Sequence, residues 1–153
     1  MFRRAGPVSL LCCEVMIAAG LYAAAAYAMP ASGPQGDWLT ANGHGVIEIA
    51  PCGEALCGRI VGIDRAPAAP IPTDALGRSQ CGLTIISDEK PDDPGSWLGE
   101  ITDPRNGDSY HARLSVDDQG DLRLRVFVGL PVLGETQVWR RFTGQLDRAC
   151  RIE

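Results

Sequence analysis

Few side chains in this chain are placed to do covalent chemistry. Only two histidines occur among its 153 residues. His44 lies in the turn sequence Asn42-Gly43-His44-Gly45, and His111 follows Tyr110 in an alternating segment. Imidazole titrates near neutral pH and can serve as a general base. A nucleophile–base pair would still need a serine or a free thiol beside it, and the chain has no Gly-x-Ser-x-Gly elbow. Asp103, Asp108, Asp117, Asp118 and Asp121 concentrate in two turn sequences. Two such carboxylates could act as acid and base, as in glycosidases, and Asp117, Asp118 and Asp121 could hold calcium. Turn formation alone accounts for them, because aspartate hydrogen-bonds nearby backbone in turns. The calcium reading also lacks alternating oxygen ligands and a closing glutamate.

Arginines and tryptophans are better suited to binding. Arg59, Arg123, Arg125, Arg140 and Arg141 all fall in alternating segments. Arg123 and Arg125 alternate with Leu122, Leu124 and Val126, so they are expected to face water. A guanidinium turned toward a cavity could instead grip a carboxylate or phosphate bidentately. Trp38, Trp97 and Trp139 sit in three separate segments. Core packing is the default for them, and a tryptophan-lined pocket is the alternative. The candidate ligand-binding set is Trp38, Arg59, Trp97, Tyr110, Trp139 and Arg140.

The first 28 residues have the form of a secretory signal peptide. Arg3 and Arg4 give a positive start, Val8 to Leu21 and an alanine run follow, and Ala26-Tyr27-Ala28 has the small-x-small form of a cleavage site. A retained anchor is the competing reading, opposed by Glu14 within the run and by the absence of a basic flank after it. Cys12 and Cys13 lie too early for a lipidated cysteine. Cleavage after Ala28 removes Arg3, Arg4 and Glu14, leaving 125 residues with 12 basic and 18 acidic side chains, a net charge of −6. That balance excludes a phosphate-neutralising nucleic-acid binder. It leaves a single domain, residues 29–153, in a periplasmic or secreted location. Cys52, Cys57, Cys81 and Cys150 remain, an even number in an oxidising compartment, so disulfides are expected. Gly53 can turn the chain between Cys52 and Cys57, which favours Cys52–Cys57 with Cys81–Cys150 among the three pairings. Zinc fits the spacing poorly.

The elements that must position these residues are strands. Period two runs through Val46–Ala50, Leu56–Ile63, Leu83–Ile86, Trp97–Ile101, Tyr110–Val116, Leu122–Val128 and Thr136–Arg141, with a short first strand at Trp38–Thr40. Asn42-Gly43, Asp103 to Asp108 and Asp117 to Gly120 are hairpin turns. Pro67, Pro70 and Pro72 exclude a core helix from the irregular stretch Asp64 to Gln80, although Thr73 could cap a short turn of helix to Leu76. About eight short strands joined by hairpins fit an all-β fold, a small antiparallel up-and-down barrel, with a β-sandwich as the alternative.

The order of motifs resembles a bacterial family of secreted proteins, the domain of unknown function number 2147. The resemblance rests on Gly36 to Thr40, Cys52 to Val61, Cys81 to Ile86, Trp97 with Thr102-Asp103-Pro104 through Gly107 to Tyr110, and Val128-Gly129 followed by Leu133 to Arg141. It implies an exported, lipocalin-like β domain and no particular activity. The chain departs from the family pattern in Ala66-Pro67-Ala68-Ala69-Pro70-Ile71-Pro72, where Asn-Pro is usual, and at Asp108, where lysine is common. The expected function is a non-enzymatic barrel that binds a small amphipathic ligand or an envelope partner and needs no cofactor. A hydrolytic enzyme using Asp103, Tyr110 or His111 and a structural envelope module are the alternatives.

Overall fold

The computed structural model describes residues 33–153; the expected signal peptide lies outside the described residues. Eight strands form in chain order: β1 (Gly36–Leu39), β2 (Gly45–Cys52), β3 (Ala55–Ile63), β4 (Thr84–Pro91), β5 (Ser96–Thr102), β6 (Ser109–Val116), β7 (Leu122–Phe127) and β8 (Glu135–Arg141). Each pairs antiparallel with the next, and β1 also pairs with β8, so the sheet closes into a barrel. The closing seam is short, with Trp38 opposite Arg141 and Leu39 opposite Arg140. Closure, rather than the two edged sheets of a sandwich, removes every exposed strand edge from a domain of this size.

Alternation sends one residue set inward. Trp38, Ile47, Ile49, Leu56, Ile60, Ile86, Leu114, Leu122, Leu124 and Trp139 form one buried cluster. The opposite set is polar, including Arg59, Arg123 and Arg140. One end of the barrel is stoppered by Gly33–Gln35. The Trp38 indole N–H donates to the Pro34 carbonyl (2.7 Å), and the Arg141 guanidinium stacks 4.0 Å over the Trp38 ring while donating to the carbonyls of Gln35 and Gly33. This sandwich desolvates the tryptophan without stranding its N–H.

The long β3–β4 connection holds no helix. Thr73 makes an isolated bridge to Ser79 instead of capping a helical turn. Asp74 organises the loop in its place, its carboxylate accepting from the Leu76 and Arg78 backbone N–H groups and from the Arg78 side chain. The chain after β8 runs along the outside of the barrel. Leu146 packs so close to Gly62 that a Cβ there would lie 2.6 Å from its Cδ2, and the Ile63 N–H donates to the Cys150 carbonyl (2.7 Å). Two disulfides, Cys52–Cys57 and Cys81–Cys150, match the favoured pairing. The second fastens this strap to the β3–β4 connection.

β4 runs on past the expected Leu83–Ile86 segment, through a bulge. Between Ser87 and Lys90 it gains one residue on β5, and Asp88 takes φ 56°, a left-handed conformation that aspartate tolerates better than most residues. Gly99 makes the space, since a Cβ there would lie 2.7 Å from the Glu89 nitrogen. The extra residue reverses the strand parity and turns Glu89 into the core. Glu89 is 0% exposed, and neither carboxylate oxygen has a hydrogen-bond partner among the described residues. Burial alone pushes its carboxyl up to about 8.

Two stability experiments follow from this architecture. Serine replacement of Cys81 and Cys150 together, which opens a loop of sequence separation 69, lowers unfolding free energy by about 4 kcal/mol, against about 2 kcal/mol for the Cys52 and Cys57 pair with its separation of 5; urea titrations of the two double variants measure both. Glu89 binds its proton more tightly in the folded than in the unfolded chain, so its contribution to stability is complete below about pH 4.5 and is lost as pH rises toward 8. Glu89→Met removes that slope and gains roughly 3 kcal/mol at pH 7, read from urea midpoints between pH 5 and pH 9.

Candidate functional site

The end of the barrel opposite the Pro34 stopper is open. A cavity of about 630 Å³ enters there. Its walls come from Ile47, Ile60, Ile101 and Val126, which continue the inward set, and from Ile85 at a register shift between β3 and β4. Its rim comes from the connections at that end: Thr40, Ala41, Asn42 and His44 between β1 and β2, Gln80 before β4, Asp103 to Arg105 between β5 and β6, and Glu135 and Gln137 at the start of β8. Apolar walls under a polar rim can hold an apolar body while hydrogen-bonding one end of it.

The depth of the cavity is set by a glycine. Gly58 faces the interior of β3, where a Cβ would lie 2.9 Å from the Ile86 Cβ and 3.1 Å from the Ile47 Cγ2. The two isoleucines close over it, and below them lies the buried cluster of Trp38, Leu56, Leu114, Leu122 and Trp139. The interior is therefore half cavity and half solid core.

Each charge on the rim has a definite partner or none. Arg105 holds Asp103 through both carboxylate oxygens, with nitrogen–oxygen distances of 2.6 to 3.2 Å. The Arg105 side chain, donating to that carboxylate, holds the Asp103 carboxyl below the usual range. His44 meets Asp64 at 3.1 Å, in the open. Glu135 stands opposite Val126 in the β7–β8 register, facing inward, and takes part in no ion pair among the described residues. The Gln137 side-chain oxygen accepts from the Trp139 indole N–H (2.9 Å). Beyond the rim, five large apolar side chains stand in solvent at the same end: Leu76, Val128, Leu130, Val132 and Leu133 are 64 to 78% exposed.

Of the residues singled out from sequence, Tyr110 lines the cavity. Trp38 and Trp139 are buried in the solid half, and Trp97 is half-buried against it, next to Gly33. Arg59 lies on the outer surface, donating to Glu48 (2.6 Å), and Arg140 is exposed on the face opposite Trp139. The six do not converge. Arg125 is occupied structurally, fastening the β7–β8 loop through the carbonyls of Pro131 and Val132 and the Thr136 hydroxyl. Asp103 and Tyr110 both reach the cavity, whereas His111 points outward beside Phe127, with ring centroids 5.5 Å apart. The Asp117 carboxylate turns back on its own hairpin, accepting from the N–H groups of Gln119 and Asp121.

The cavity walls went unnamed in the sequence, though a signal for part of them was present. Placing Trp139 inward fixes Gln137 and Glu135 inward by parity. Glu89 had no such signal, because only the bulge at Asp88 reverses its side.

Comparison with known proteins agrees with this architecture. A solved structure with the same barrel is protein HP1028 from Helicobacter pylori, described as belonging to the lipocalin family. The two share 18% identity at a TM-score of 0.61, over 71% of this chain and 82% of that one. No curated protein sequence matches. Residues 36–141 match the family of uncharacterized proteins conserved in bacteria, DUF2147, so that the whole barrel from β1 to the end of β8 is accounted for, and the chain belongs to that family.

Proposed function

We propose that this chain is an exported, non-enzymatic binding protein that takes up a small amphipathic ligand through the open end of its barrel. The observation that carries this reading is the cavity of about 630 Å³ with isoleucine and valine walls and a polar rim. Its size falls in the range of small-molecule sites, and its closed lower half gives a ligand one way in. Tyr110 and Gln137 supply hydrogen-bonding groups at the wall. The exposed Val128, Leu130, Val132 and Leu133 beside the mouth suit transfer of an apolar molecule from a partner or a lipid phase. Export is supported by the leader-like residues 1–28 and by the two disulfides, with residues 29–153 as the mature domain and the periplasm or the medium as its location.

Titration with the neutral fluorophore N-phenyl-1-naphthylamine tests the binding reading. The purified mature domain enhances its fluorescence at micromolar concentration. Val126→Trp, which fills the mouth, weakens that binding about tenfold or more with no loss of fold. Absence of enhancement, or equal enhancement by the variant, counts against the cavity as the binding site. The intact mass of the protein recovered from a periplasmic extract checks cleavage after Ala28.

A further inference from the structure

The cations nearest the cavity and the stopper already have partners. Arg105, on the cavity rim, is already held by both oxygens of Asp103, and His44, the other basic side chain there, meets Asp64. The cation at the stoppered end, Arg141, is stacked on Trp38 and donates to two backbone carbonyls. A carboxylate, sulfate or phosphate head entering the cavity therefore meets no free guanidinium or ammonium group among the described residues. One acid is in the opposite state. Glu135 lines the cavity at the top of β8 and takes part in no ion pair among the described residues. An inward carboxylate without a paired cation is a poor lining for an anionic ligand.

We infer that the cavity is selective for a cationic amphiphile, an apolar body carrying an ammonium head, with Glu135 as the counter-ion at the mouth and with anionic amphiphiles disfavoured. This deepens the binding reading above and rests on it. The ammonium group keeps part of its hydration at the rim, where Glu135 is accessible to solvent, while the alkyl body lies against Ile47, Ile60, Ile101 and Val126. A charge pair at such a rim sets selectivity more than affinity, because the apolar contact is the same for any head group of similar size.

Isothermal titration with three ten-carbon probes, decyltrimethylammonium, decanol and decanoate, each below its micelle concentration, tests the inference on the mature protein at pH 7. The ammonium binds about tenfold or more tightly than the carboxylate, with the alcohol between. Glu135→Gln brings the ammonium-to-carboxylate ratio down about fivefold, and Glu135→Lys reverses the order. Glu54→Gln, on the β2–β3 turn at the stoppered end, leaves the ratio unchanged and separates a local effect from the overall negative charge. Equal binding of all three probes, or an unchanged ratio in Glu135→Gln, overturns the charge selectivity and leaves the binding reading standing. Failure of all three probes to bind overturns both.

Discussion

Closure of the sheet is the constraint on which the rest of this structure depends. A strand of four residues such as β1 would be a weak edge in an open sheet, yet here it has a hydrogen-bonded neighbour on each side. Once the ring is closed, alternation has only one inside, and every inward residue competes for the same small volume. Trp38 and Trp139 consume much of it at one end, and the stopper at Pro34 and the Arg141 stack complete the seal there. The space left at the other end is what the eight strands cannot fill with the side chains they carry.

The barrel was legible in the sequence because its signals are local. Period two, Asn42-Gly43 and the two aspartate-rich turns fix strands and hairpins without reference to anything distant. The disulfide pairing was legible for a similar reason, since Gly53 permits the short Cys52–Cys57 loop and leaves one pair over. The site was legible only in part. Tyr110 reaches the cavity, whereas Trp38 and Trp139 pack in the core as the default reading had them, Trp97 is half-buried against it, and Arg59 and Arg140 stand outside. Period two separates the two faces of a strand and says nothing about depth along the barrel axis, and depth decides between wall and core. The β4 bulge is a different kind of omission. One inserted residue at Asp88 exchanges the faces of everything after it, and its accommodation depends on Gly99, a residue of another strand.

Small residues and the bulge together shape the interior. Gly58 lets Ile47 and Ile86 close over it from the strands on either side and form the floor, and Gly99 lets β4 kink against β5. The same kink leaves Glu89 fully buried, with neither carboxylate oxygen hydrogen-bonded among the described residues. Burial raises its pKa, with no neighbouring charge contributing. Above the floor the polar groups are solvated at the rim. The floor is thus a boundary between two dielectric environments as well as between cavity and core.

The short seam between β1 and β8 also has a meaning for the order in which the molecule can assemble. Trp38 and Arg141, which face each other across it, stand at almost opposite ends of the described chain, whereas every other strand pair joins neighbours in sequence. Hairpins β2–β3 through β7–β8 can zip one from the next at small entropic cost, but the seam must wait for the largest loop to close. Until then Trp38 lacks its Arg141 cover and the interior is accessible along its whole length. For a chain whose strands emerge one after another, the cavity comes into existence last, as a by-product of the final strand finding the first.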